Sequence, residues 1–213
     1  MKIRVLLLCC LSLVPLQGGD ERFWDKQEPA AWTPEQKTQF LCASPWAKQV
    51  TAVLISNDSN MAGATPRPAG SGRRGAVYSS RGTSDSSNGP AMPKFQGLVR
   101  WVSAAPMQQL LKLKLPDGFK GHYVISVTGL PVGEDAAIIA EQTTLQLKKG
   151  EPVHPETAYQ DPNDTATIYF SFLPSMLDIS GVKMAQFSMV AAPFEIKTRF
   201  NLAEMKIHGE PSL

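Results

Sequence analysis

The sequence predicts an α+β fold: a mainly antiparallel sheet of six or seven strands with two or three short helices and a long disordered insertion. Three observations predict it. Ala166, Ile168, Phe170 and Phe172 alternate with Thr167, Tyr169 and Ser171, and Phe194, Ile196, Thr198, Phe200 and Leu202 alternate with Glu195, Lys197, Arg199 and Asn201. Period-two alternation sets one face of a strand on a core and the other in water. Helical spacing is confined to short runs, and these do not interleave with the strands as regular βαβ units. The chain has 213 residues, 43% of them hydrophobic, which suffices for one core. Only 19% are charged and the formal net charge is +2, which argues against a strongly basic nucleic-acid binder and against an acidic solvating tail.

The elements follow in chain order. Lys2 and Arg4 precede an almost uniformly apolar run from Val5 to Leu16, closed by Gln17-Gly18-Gly19. This is the pattern of a secretory signal peptide over residues 1–18. Twelve residues rise ~18 Å as a helix, short of the ~30 Å hydrocarbon core that a permanent anchor must span. No later run reaches 18 uncharged apolar residues, so no integral membrane segment is expected after cleavage. Lys2 and Arg4 are two of the 21 basic side chains, so cleavage leaves the rest balanced against 19 acidic ones. Cys9 and Cys10 leave with the signal, and Cys42 then has no partner for an internal disulfide.

Residues 19–56 are expected to hold an N-terminal helix and the first strand of the domain. Thr33-Pro34-Glu35-Gln36 is a helix start, with Thr33 as cap, Pro34 in the first turn and Gln36 closing a capping box. The helix runs to about Ala43 and stops before Ser44-Pro45. Trp24, Trp32 and Trp46 surround it. Two readings stand for these indoles: a sugar-binding contact surface, or pins that hold a short terminal helix to the sheet. Val50 to Ile55 reads as a strand.

Residues 57–97 are rich in Ser, Gly, Pro, Ala, Asn and Arg, with too few apolar residues to order themselves, and read as a disordered insertion. Arg67, Arg73, Arg74, Arg81 and Lys94 outweigh Asp58 and Asp85 there. The main sheet domain is expected over residues 98–213. It begins with a strand at Leu98–Ser103 and a short helix from Pro106 that carries Met107, Leu110 and Leu111. A strand at His122–Thr128, a helical stretch at Asp135–Gln142 and a strand at Thr143–Lys148 follow. Residues 149–164 read as a loop. Val182–Val190 and Phe194–Leu202 form a hairpin about Ala191-Ala192-Pro193.

Several runs carry a resemblance. They are Phe23-Trp24-Asp25-Lys26, Trp32-Thr33-Pro34-Glu35, Ser44-Pro45-Trp46-Ala47-Lys48, Val99 through Pro106, and Phe194 through Met205. Together they resemble an uncharacterised family of exported proteins of acidobacterial-type bacteria that has no assigned activity. The resemblance implies a bacterial envelope setting and carries over no functional residue.

No motif fixes a chemistry. His122, His154 and His208 are isolated, and no HExxH or paired cysteine gives metal-ligand spacing. There is no G-x-S-x-G elbow, P-loop or dinucleotide-binding glycine pattern. The expectation is therefore no catalytic, cofactor or metal site. The protein is expected to be exported, periplasmic or extracellular, and to act without catalysis by binding or structural association with an envelope protein or a glycan. Trp24, Trp32, Trp46 and the exposed face of Tyr169 are the candidate contact residues. One alternative is a cell-wall-directed hydrolase using Glu134, Asp135 and His154. Another is a periplasmic chaperone or complex subunit that accepts a partner strand at a sheet edge.

Overall fold

Alternation of side chains builds most of the protein, and it is cleanest in the hairpin of β7 (Met184–Ala191) and β8 (Phe194–Asn201). Their ladder pairs Met184 with Asn201 through Ala191 with Phe194, and Ala192-Pro193 forms the turn. Ala185, Phe187, Met189, Ile196 and Phe200 point to the core and are fully or almost fully buried. The computed structural model describes residues 22–55, 95–131, 133–148, 150–162 and 164–213. The expected signal peptide and residues 57–94 of the expected insertion lie outside the described residues.

The other strands are β1 (Ala47–Leu54), β2 (Phe95–Trp101), β3 (Tyr123–Thr128), β4 (Thr143–Leu147), β5 (Thr157–Asp161) and β6 (Asp164–Phe172). Among the described residues the fold is α+β, with one eight-stranded sheet in the order β4-β7-β8-β1-β2-β3-β6-β5 and every pair antiparallel. A two-stranded ribbon, β9 (Lys206–Ile207) and β10 (Glu210–Pro211), ends the chain. The helices are α1 (Phe23–Lys26), α2 (Pro34–Cys42), α3 (Ala105–Leu111) and α4 (Ala136–Glu141).

The sheet curls over its own inner face. Phe170 of β6 and Phe187 of β7 have four strands between them in the sheet order, yet their ring centroids are 5.9 Å apart. Trp101 of β2 meets Phe200 of β8 at 5.4 Å across the intervening β1. β1 is the pivot. Ala47–Ala52 pair with β2, whereas Val53 and Leu54 pair with Glu195 and Phe194 of β8. Right-handed twist accumulated over eight strands lets the inner faces enclose one core. The two outer strands approach each other through α4, which packs on β5, and through Val153, which exchanges both backbone hydrogen bonds with Leu145 of β4.

Local chemistry places α2 and α4 where the sequence puts them, while α1 brings the helices to four among the described residues, above the two or three expected. The Thr33 backbone N–H donates to Gln36 Oε1 at 2.9 Å and the Gln36 N–H donates to Thr33 Oγ1 at 3.2 Å, a reciprocal capping box with Pro34 in the first turn. Asp135 caps α4 by accepting from the Ala137 N–H at 2.8 Å. Gly129 turns the chain out of β3 at φ +91°, a conformation closed to most residues, with the Gln96 carbonyl 3.3 Å from where a Cβ would stand.

Four expectations need correction. Phe95, Gln96 and Gly97 belong to β2 and not to the insertion, because β1 supplies a ladder partner to each. The expected loop at residues 149–164 contains β5, whose TAYQD sequence has too little alternation to read as a strand and is held by pairing with β6. The strand count is therefore eight in the sheet, above the six or seven expected. Thr167, Tyr169 and Ser171 do not face water, and their exposures are 4%, 9% and 0%. The chain from Leu111 to Phe119 folds over that second face and builds a smaller apolar cluster of Val102, Phe119, Val124 and Tyr169. A strand covered on both faces loses the contrast that alternation normally reports.

Candidate functional site

The candidate contact residues are all buried. Trp24, Trp32 and Trp46 keep 8%, 3% and 0% of their surface, and Tyr169 keeps 9%. This corrects the expectation of an exposed aromatic surface. The indoles join Phe23 and Phe40 in one cluster with centroid separations from 4.8 to 6.0 Å, which fastens α1 and α2 to the sheet. Trp32 Nε1 donates to the Gln27 carbonyl at 2.9 Å, and Trp46 Nε1 donates to the Ser212 carbonyl at 2.6 Å. Indoles bury large apolar areas, and satisfying the N–H removes the main penalty of doing so. Burial pushes the Tyr169 phenol up to about 12, with Asp164 and Asp161 adding to the shift and Arg100 opposing it.

The acid and base candidates are held as structural acceptors or stand apart. Glu134 Oε2 accepts from the Ala192 N–H at 3.1 Å, and Asp135 is spent on the α4 cap. Of the three, His154 lines a groove of about 460 Å³ between α4 and the start of β5, beside Glu141 and Glu156. A second group, not legible in the sequence, forms around His122. Its Nδ1 lies 2.6 Å from Ser171 Oγ and 3.5 Å from Glu156 Oε2. A nucleophile–base–acid relay needs hydroxyl and carboxylate on opposite ring nitrogens. Here both meet the same nitrogen, so the contact ties β3, β6 and the chain entering β5 together.

The concavity best furnished for a ligand lies at the α2–β1 junction. It measures about 610 Å³ and is lined by Arg22 and Trp24 at the start of α1, Cys42–Pro45 after α2, Ala47–Gln49 of β1, and Glu204 from the turn after β8. The fold produces it where α2 ends at Cys42, ahead of Ser44-Pro45, and where β1 begins with β2 as its ladder partner, before it reaches β8 at Val53. Trp24 and Ser44, which border it, each hold a polar atom with no partner among the described residues, Trp24 Nε1 and Ser44 Oγ, and both atoms are enclosed by protein and closed to the concavity. The third such atom, Trp101 Nε1, belongs to the core. Neither Arg22 nor Lys48 forms a salt bridge among the described residues. Arg22 also holds a left-handed backbone, φ 46° and ψ 56°, which costs a residue with a Cβ about 1 kcal/mol. Sequence reading missed Arg22, Ser44, Lys48 and Glu204, since nothing in their spacing announces a shared pocket.

The edges bear on strand addition. The outer edge of β4 is engaged at its centre by Val153, and α4 packs along β5. No helix among the described residues is long and apolar enough to cross a membrane. Among the described residues no cluster of three or more His, Cys, Asp or Glu side chains has metal-holding geometry. No protein-family model, curated protein or solved structure matches the chain.

Proposed function

We propose that this is an exported bacterial envelope protein that works without catalysis, binding an envelope component at the α2–β1 pocket on a rigid sheet platform. The observation that supports the reading is the open concavity itself, where Arg22 and Lys48, neither in a salt bridge among the described residues, stand beside Glu204. The basic start and short apolar run of residues 1–18 support export. The resemblance to exported acidobacterial-type proteins supports the envelope setting.

Affinity capture from envelope extract tests the reading. The wild-type chain is expected to retain a specific protein or glycan, and Lys48→Gln is expected to lose it while keeping the wild-type circular dichroism. Equal capture by the two chains would move the binding surface elsewhere. Turnover of cell-wall material by the isolated chain would replace binding with hydrolysis.

A further inference from the structure

We propose that Lys112–Leu115, the segment between α3 and the turn at Asp117–Phe119, accepts an extended acidic peptide as an added strand. This surface shares no residue with the α2–β1 concavity and is independent of what binds there. Exposure alternates along it. Lys112 and Lys114 are exposed, while Leu111, Leu113 and Leu115 pack down onto the cluster of Val102, Phe119, Val124 and Tyr169. A period of two is the geometry of a strand. Yet Leu113, Lys114 and Leu115 belong to no ladder, and their backbone N–H and C=O groups have no hydrogen-bond partner among the described residues.

Extended backbone shows its polar groups on two sides in turn, so Leu113 and Leu115 present two donors and two acceptors along one side. Main-chain bonds of this kind hold an added strand. The end strands of the sheet offer less: Val153 takes both backbone groups of Leu145 on β4, and α4 packs along β5. Charge selects the occupant. Neither Lys112 nor Lys114 is in a salt bridge among the described residues, and the nearby Asp117 is held by Lys120 at 2.7 Å. Like charges placed opposite each other disfavour a second copy of this segment, and carboxylates in those places favour an acidic strand. Leu111, Leu113, Leu115 and Tyr159 are only partly buried, which leaves apolar surface for the inward side chains of the added strand. The occupant is thus an extended peptide that alternates carboxylates with apolar residues. Lys112, at φ 50°, and Pro116, which has no N–H, limit the pairing to a span of ~14 Å.

Isothermal titration of the full-length chain with the peptide acetyl-Glu-Val-Glu-Val-Glu amide tests this. The controls are the same peptide with lysine for glutamate, and the acidic peptide N-methylated at both valines, whose amides pair with Leu113 and Leu115. The acidic peptide is expected to bind at least about tenfold more tightly than either control. On binding, the amides of Leu113 and Leu115 should gain protection from hydrogen exchange. The double variant Lys112→Glu/Lys114→Glu should keep the wild-type circular dichroism, since both side chains are exposed, and should prefer the basic peptide. Equal binding by the N-methylated peptide would reduce the site to charge attraction and overturn the proposal. So would an unchanged preference in the double variant, or protection gathered at other amides. Binding of polygalacturonate or of anionic lipid vesicles in place of the peptide, or no heat up to about 5 mM peptide, would overturn it equally.

Discussion

His122 Nδ1 sits 2.6 Å from the hydroxyl oxygen of Ser171, a residue with no solvent exposure, and this one contact satisfies a buried hydroxyl on β6, beside the edge strand β5. The Ser171 carbonyl accepts from the Glu156 N–H at 2.8 Å, so the same residue anchors the chain entering β5. His122→Ala should therefore cost about 1–3 kcal/mol in urea unfolding, the penalty for leaving a buried hydroxyl unpaired. The double variant His122→Ala/Ser171→Ala should recover part of that loss. Additive losses in the cycle would mean that the pair is not coupled.

Trp46 separates a core role from a contact role. With no exposed surface and its N–H bound to Ser212, Trp46→Ala should destabilise by about 3–5 kcal/mol. Trp46→Phe keeps the ring against Phe40 and Trp24 and should cost less, leaving a folded chain with a lower denaturation midpoint. A stable Trp46→Ala chain would contradict the packing described.

Tyr169 sets an alkaline limit. Its folded pKa of about 12 lies above the ordinary value of 10.0, so folding favours the protonated phenol. The stability this gives is complete below pH 10 and is lost as pH rises toward 12, up to about 3 kcal/mol in all. Denaturation midpoints should fall across that window in the wild type and fall less in Tyr169→Phe. Parallel curves for the two chains would place the alkaline transition on another group.

The cap of α2 gives a local check. Thr33→Ala removes the acceptor of the Gln36 N–H and should cost about 1 kcal/mol, while Thr33→Asp should cost little. Equal loss in both variants, read by thermal unfolding, would show that the hydroxyl does more than cap.

Legibility in the sequence tracked how far each element depends on its own residues. The β7–β8 hairpin and the α2 cap were readable because alternation and the Thr33–Gln36 box are local signals. β5 was not, since Thr157–Asp161 is a strand only by pairing with β6. The second face of β6 misled for a related reason: Thr167, Tyr169 and Ser171 look solvent-facing until Leu111–Phe119 closes over them. The tryptophans announced themselves as a group, but their types fit a core as well as a surface. The pocket was invisible because Arg22, Ser44, Lys48 and Glu204 come from four segments that only the folded chain brings together.

Backbone amide resonances measure the pocket most directly. In two-dimensional ¹H–¹⁵N spectra of the full-length chain, the envelope component retained on capture should shift the amides of Ala43, Ser44, Lys48 and Gln49, which line the concavity, while the Trp32 and Trp46 indoles, already bonded to carbonyls, stay in place. Unchanged amides at those four residues, with shifts gathered elsewhere in the chain, would contradict the account.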